Sequence, residues 1–256
     1  MIANYHTHTW RCNHATGREE DYVRNAIDRK FEILGFSDHT PYVFPEGYYS
    51  GFRMKREQFA DYCNIVRLLQ KKYAGRIHIP LGVEVEYYPA YFADTLALLR
   101  DADIEYMLLG QHFVGNEIGE HYSGRATGDE AILAGYCRQA MDAMQTGLFT
   151  YFAHPDLIHF LGEETVYRNH MRRLCAEARS CGMPLEMNML GSWAGRNYPN
   201  PVFWELAAEE GCTVILGCDA HAPEHLQKLE TERTLLDTVA ALGLPLLERT
   251  ELRKIK

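Results

Sequence analysis

The sequence predicts an α/β domain of parallel β/α units closed into a distorted, TIM-barrel-like (β/α)7 barrel, and three observations lead there. Apolar or β-branched runs suited to buried strands recur seven times. Segments with apolar residues at three- and four-residue spacing, suited to helices, alternate with them. The chain of 256 residues shows no linker-like break, and a single α/β barrel typically takes about 250 residues. Parallel units with right-handed crossovers close into one barrel or open into one sheet, and the barrel is the expectation. The familiar barrel has eight units, so seven implies a distorted or incomplete version, or one strand that the pattern hides.

In chain order, a first strand at 2–5 is followed by a helix at 19–33, and a second strand at 33–37 by a helix at 55–73. That helix shows its period in Phe59, Tyr62, Cys63, Val66 and Leu69. A third strand at 78–87 precedes a helix at 90–100, a fourth at 104–110 a helix at 129–146, and a fifth at 150–153 a helix at 164–181. The sixth and seventh strands, at 184–190 and 213–218, are paired with helices at 202–210 and 223–241. Gly82, Gly110 and Gly217 fall within strands. The irregular stretches 40–54 and 114–128, rich in Gly, Tyr and Ser, read as loops over one face, not as domain linkers. One domain spanning 1–256 is therefore expected.

With 46% hydrophobic and 24% charged residues, the composition is that of a globular protein with a sizeable core, which excludes disorder. The net charge of -9, without a basic run, lacks the electrostatic footprint of a nucleic-acid binder. A small anionic substrate stays open, because the field in a cleft need not share the sign of the net charge. The seven cysteines are odd in number and form no CxxC pair, as in a reducing cytosol. Met1 to Tyr5 run straight into His6 and no long apolar stretch follows, so a cytoplasmic protein without membrane association is expected.

Strand ends carry the chemistry. The first ends in His6-Thr7-His8, whose i, i+2 spacing points both rings to one side of an extended chain. Alone, such a pair is weak among 12 histidines, but it repeats in kind. The second strand ends in Ser37-Asp38-His39, the third contains Glu84 and Glu86, the fourth ends in Gln111-His112, the fifth in His154-Pro155-Asp156 and the seventh in Asp219-Ala220-His221. In a parallel barrel all these ends share one face. Imidazole and carboxylate donors suit Zn, Mn or Fe, and the set is larger and poorer in cysteine than a closed structural zinc site. His78, His121, His159, His170 and His225 read as surface or packing residues, and His14, in the loop after the first strand, is open between solvent and metal.

These residues lie in the strings YHTHTWRCNHA at 5–15, LGFSDHTP at 34–41, LGVEVEYYP at 81–89, LGQHF at 109–113, YFAHPDL at 151–157 and LGCDAHAP at 216–223. Together they resemble the polymerase and histidinol phosphatase (PHP) superfamily, in particular its histidinol-phosphate phosphatase branch, over nearly the whole chain. The resemblance implies the PHP fold, a distorted (β/α)7 barrel with three divalent metal ions. It implies His6, His8, Glu84 and Asp219 for one metal, Glu84, His112 and His154 for a second, and His14, His39 and His221 for the third. Glu84 is selected over Glu86 because the family carboxylate follows the glycine by two residues. Glu86 then lies behind the ligands, orienting a histidine or holding a basic side chain, and Asp38 and Asp156 are candidates for the same duty.

The reaction so implied is hydrolysis of a small phosphate monoester, L-histidinol phosphate first, in histidine biosynthesis. Clustered metals supply an acidified water and clamp phosphate oxygens. Arg53, Arg125 and Arg196, all in irregular segments, are candidate phosphate ligands because guanidinium matches phosphate in a bidentate fork. Asp219 and His221 are candidate proton donors to the leaving oxygen, beside a metal-bound water. Glu120, Tyr122 and Tyr198 are eligible to recognise an imidazole-bearing amino alcohol. Two rivals stand beside this reading: a phosphodiesterase or nuclease of the same superfamily, and a non-catalytic metal-stabilised module. The second predicts missing ligands or attached domains, whereas nine ligand positions are occupied and the chain stops about 35 residues after the last motif, so a catalytic role is the expectation.

Overall fold

Short buried runs flanked by turns can pair only briefly, and the strands of the computed structural model, which describes residues 1–119 and 121–255, are accordingly two to four residues long. They are β1 (Ala3–Asn4), β2 (Ile33–Leu34), β3 (Gly82–Val85), β4 (Tyr106–Leu109), β5 (Phe113–Val114), β6 (His121–Tyr122), β7 (Tyr151–Phe152), β8 (Leu185–Asn188), β9 (Val214–Gly217) and β10 (Leu246–Leu247). β3, β4, β7, β8 and β9 pair in parallel, in that order. β1 pairs with β2, and the chain beyond β2 meets β3 with Phe36 opposite Leu81 and His39 opposite Glu84. The ring closes where Thr7 lies opposite Ala220, with His8 N donating to Ala220 O at 2.9 Å and Ala220 N to His6 O at 3.1 Å. These contacts make the seven-unit barrel that the alternation predicts.

The distortion has a visible origin. β10 pairs with the entry half of β9, at Val214 and Ile215, whereas the chain beyond β1 meets the chain beyond β9 at Thr7 and Ala220. Between them, Cys218 N donates to the Asn4 side chain at 2.8 Å instead of to a backbone carbonyl. β10 is the strand the pattern hid: two residues, one of them exposed, give no readable run.

The helices are α1 (Glu19–Asp28), α2 (Arg56–Lys72), α3 (Pro89–Asp101), α4 (Glu130–Gln145), α5 (Glu164–Ser180), α6 (Met189–Trp193), α7 (Pro201–Glu209) and α8 (Leu229–Leu242). α2 buries the five residues whose spacing predicts it. Three expectations are corrected. The first helix stops at Asp28, not 33, because Lys30 takes a left-handed φ of 59° while Lys30 N and Phe31 N turn back to Ile27 O and Ala26 O, a Schellman end. The segment 223–241 splits at Lys228, which leaves helical geometry with ψ 65°, into a 3-10 turn and α8. The stretch 114–128 is not all loop, since β5 and β6 form an antiparallel hairpin.

Two layers of apolar packing result. The larger lies between strands and helices. Inside the barrel, Tyr5, Tyr106, Leu108, Tyr151, Ala153 and Ile215 form a separate plug, and Tyr106 spends its hydroxyl on Tyr5 O at 2.6 Å. This plug is the floor beneath the strand ends. All seven cysteines are free, and among the described residues no helix is long and apolar enough to cross a membrane.

Candidate metal centre

Because every parallel strand exits on one face, the predicted donors converge there over the tyrosine floor. Glu84, fully buried on β3, is the centre. Its Oε2 lies 3.5 Å from His6 Nε2, 3.6 Å from His8 Nε2 and 3.1 Å from His39 Nδ1. Its Oε1 lies 3.0 Å from His154 Nε2 and 3.7 Å from His112 Nε2. Asp219 Oδ1 completes the first side, 3.1 Å from His8 Nε2 and 3.5 Å from His6 Nε2. His14, His39 and His221 form a further group whose donor atoms are mutually close. All nine predicted ligands are thus assembled, with His39 standing between Glu84 and the His14 and His221 pair.

Two observations test whether these residues fit metal ions. Both oxygens of Glu84, His6 Nε2 and His8 Nε2 are buried without a hydrogen-bond partner, a costly state for polar atoms unless something else satisfies them. His14 Nδ1 donates to Cys12 O at 2.8 Å and His221 Nδ1 to Asp219 O at 3.0 Å, which fixes both tautomers and leaves the two Nε2 lone pairs facing each other at 2.9 Å. Burial, then the charge of neighbouring His8, lowers the pKa of both rings, so neither readily carries a proton between them. Lone pairs aimed at one point suit a shared cation.

The carboxylates behind the donors divide differently from expectation. Glu86 Oε1 accepts from His112 Nδ1 at 2.8 Å and pairs with Arg53 at 3.0 Å. Asp38 Oδ1 faces His8 Nδ1 at 3.5 Å and accepts from His39 N at 2.8 Å. Asp156 is a correction: among the described residues it makes no hydrogen bond or ion pair to a histidine, and its Oδ2 instead accepts from Asn200 N at 2.6 Å and Trp204 Nε1 at 3.0 Å, tying down the start of α7. Burial pushes its pKa up to about 7.

Missing from the sequence reading is Glu186, fully buried on β8. It accepts from His6 Nδ1 at 2.8 Å, and Asn188 Nδ2 bridges it at 2.8 Å to Asp219 Oδ2 at 3.2 Å. The available signal was a glutamate and an asparagine two apart inside the apolar run PLEMNML, hence on one face of a buried strand. The strand glycines also acquire a reason. A Cβ at Gly110 would lie 2.0 Å from Glu84 Oε1, and one at Gly217 1.7 Å from Glu186 Oε1. His154 and Asp219 hold φ of 34° and 48°, left-handed values that cost non-glycine residues energy and recur at functional sites.

Above the donors opens a cavity of about 340 Å³ walled by Phe52, Phe113, Tyr122, Leu190, Arg196 and Tyr198. Of the three candidate phosphate arginines, the structure brings only Arg196 to it, with NH1 donating to Tyr198 OH at 2.9 Å. Arg53 is corrected: it is 1% exposed, and its guanidinium is consumed by Glu86, Glu117 and Thr40 O between the rings of Phe52 and Tyr42. Arg125 is corrected as well, for it lies exposed beyond the β5–β6 hairpin, beside His121 and Ile132. Tyr122 and Tyr198 reach the cavity, while Glu120 lies outside the described residues. His78 sits at the opposite end of the barrel, opposite Ile33, and His225 packs on Trp193.

A parallel barrel with a buried imidazole and carboxylate cluster at its strand exits defines a metal-binding α/β barrel with its site on the catalytic face. The PHP domain model matches residues 4–190, and the chain belongs to this family. It is 31% identical over 234 residues, 87% of each chain, to a probable histidinol-phosphatase of Deinococcus radiodurans. It is 26% identical to the histidinol-phosphatase of Bacillus subtilis, covering 84% of this chain and 92% of that one. The fold matches the histidinol phosphate phosphatase of Lactococcus lactis, solved with Zn, L-histidinol and phosphate, at a TM-score of 0.74 and 18% identity, over 100% of this chain and 98% of that one.

Proposed function

We propose that the chain is a metal-dependent phosphoric monoester hydrolase that converts L-histidinol phosphate to L-histidinol and phosphate in histidine biosynthesis. The observation that carries the metal dependence is the set of buried, unpartnered donor atoms around Glu84; the named relatives carry the substrate. Three divalent ions of the Zn, Mn or Fe type fit the donor groups: His6, His8, Glu84 and Asp219; Glu84, His112 and His154; and His14, His39 and His221. Bound there, such ions supply an acidified water and neutralise phosphate oxygens.

The chain's own residues supply the rest. Arg196, above the donors, holds a non-bridging phosphate oxygen with guanidinium protons not committed to Tyr198. Phe52, Phe113 and Tyr122 form the apolar wall against which the imidazole of the substrate lies. Burial raises the Asp219 carboxyl, but His6, His221 and His8 outweigh it and hold it well below the usual range. Burial lowers His221 likewise, so at neutral pH both candidates start without a proton. His221, with Nδ1 donating to Asp219 O and Nε2 assigned to the metal, has no lone pair left for a proton, so Asp219 is the group that accepts the proton of the attacking water and returns it to the leaving oxygen as the P–O bond breaks.

Hydrolysis of L-histidinol phosphate well above that of sugar phosphates, other amino-alcohol phosphates and single-stranded DNA is the expected assay result; preference for an oligonucleotide would transfer the reading to a nuclease. Arg196→Ala is expected to lower kcat/KM roughly 10- to 100-fold with metal content intact, the worth of one or two charge-assisted bonds. Arg125→Ala should change it less than about twofold. Equal effects of the two changes would remove Arg196 from phosphate binding.

Metal binding should also release protons. Burial disfavours the charged forms of His6 and His8, but Glu186, Asp219 and Glu84 outweigh it at His6, raising it well above its usual value, and Asp219 and Asp38 do so at His8, raising it from 6.5 to about 9. The metal-free site thus keeps protons that a metal must displace. Affinity for Zn²⁺ or Mn²⁺ rises with pH from 6.5 to about 9, and calorimetry in buffers of different ionisation enthalpy reads the released protons. A pH-independent affinity over that window would contradict this.

A further inference from the structure

Glu186 receives four donors, two on each oxygen. Oε1 accepts from His6 Nδ1 at 2.8 Å and Tyr151 OH at 3.2 Å, and Oε2 from His154 N at 3.1 Å and Asn188 Nδ2 at 2.8 Å. Two carboxylate oxygens offer about four lone-pair directions, so the acceptor capacity is filled by four donors from three strands, β1, β7 and β8, and their exits. The geometry needs an acceptor-only group with no room to spare, which the missing Cβ of Gly217 provides.

The donors belong to different parts of the metal centre. In the division that the family resemblance implies, His6 serves the group with His8 and Asp219 and His154 the group with His112, and the two histidines meet at Glu84, His6 at its Oε2 and His154 at its Oε1. His154 is held through its backbone N–H, at the residue whose φ of 34° needs support. Asn188 extends the reach: its Nδ2 also donates to Asp219 Oδ2 at 3.2 Å, while its Oδ1 accepts from Gly191 N at 2.9 Å at the start of α6. No contact joins Glu186 to His14, His39 or His221 among the described residues.

Resting on the metal-centre reading above, we propose that Glu186, with Asn188, is a positioning hub that ties the His6–His8–Asp219 and His112–His154 positions into one unit, so that both load and fail together, while the His14–His39–His221 position, which Glu186 reaches only through Asp219, is weakened less. The carboxylate acts through the ligands, fixing the His6 tautomer from one oxygen and the strained His154 backbone from the other.

Glu186→Gln tests this sharply, because an amide has one acceptor oxygen and brings two donors among four. In graded chelation followed by metal counting, the variant should lose two ions together at about 10- to 100-fold lower chelator than wild type and hold the third to higher chelator than either. With Zn²⁺ or Mn²⁺ restored to saturation, kcat on L-histidinol phosphate should fall about 10- to 100-fold with KM unchanged. Loss of a single ion, or a wild-type chelation profile, overturns the coupling. Should Glu186→Gln not fold, Asn188→Ala judges the same claim, since it frees Glu186 Oε2 and Asp219 Oδ2. Weakened retention of both ions is expected, and wild-type retention refutes it. A wild-type protein that holds metal but leaves L-histidinol phosphate intact would overturn the substrate reading alone, because metal counts judge Glu186 without substrate.

Discussion

Glu84→Gln is expected to give a folded protein that has lost most of its metal and more than about 100-fold of its kcat/KM, a larger loss than removing a residue that only supports a ligand. The reason lies in five imidazole nitrogens at 3.0 to 3.7 Å from its two oxygens. A glutamine keeps the shape but turns one oxygen into an NH2 donor, which cannot ligate. Burial raises the Glu84 carboxyl, but His112, His39 and His6 more than offset this and hold it well below the usual range. In the metal-free protein that depression favours folding above the ordinary carboxylate range and is lost as pH falls through the lowered value. Metal analysis beside steady-state kinetics checks the prediction. A Glu84→Gln protein with full metal content and wild-type turnover would remove Glu84 from the centre of the site.

Arg53→Met should cost about 3–5 kcal/mol of stability, because it leaves Glu86 and Glu117 buried without their cation. For a chain of this size that corresponds to a fall in Tm of the order of 10 °C. Activity should fall too, and through kcat: Glu86 shares its Oε1 between Arg53 at 3.0 Å and His112 Nδ1 at 2.8 Å, so loosening one loosens the other. Arg53→Lys should recover little, since an ammonium cannot reproduce a fork that meets Glu86, Glu117 and Thr40 O together. Thermal unfolding and the separation of kcat from KM are the readouts. An unchanged Tm with KM raised tenfold would return Arg53 to the phosphate.

The contrast between these residues shows what the sequence could carry. A ligand histidine is legible because it follows an apolar run at a strand exit, and parallel topology then makes position along the strand equivalent to position in space. On that ground the donors from 6 to 221 converge, and the family resemblance is needed to divide them and to decide His14. An arginine in a loop has no such constraint. Arg53, Arg125 and Arg196 look alike in sequence, yet one is sealed between Phe52 and Tyr42, one faces solvent, and one lines the cavity. Asp156 failed for a related reason: standing beside His154 in sequence, it turns to the start of α7. Glu186 was hidden in the opposite way, inside an apolar strand with no histidine beside it to draw attention.

In the fold, long periodic helices were readable and brief pairings were not. α2 matches its spacing, whereas β10 and the β5–β6 hairpin, two residues per strand, depend on partners far along the chain. Helix ends set by one backbone angle, at Lys30 and Lys228, also left no period to read.

The central claim is that the strand-exit donors hold metal ions that hydrolyse L-histidinol phosphate, and one measurement reaches it directly: phosphate release from L-histidinol phosphate by chelator-stripped protein as divalent metal is restored stepwise, with bound metal counted at each step. Negligible turnover is expected in the stripped protein, with recovery that tracks ion occupancy and reaches its maximum as the third ion binds. Turnover that persists in fully stripped protein, or a reloaded protein that releases no phosphate, would contradict that claim.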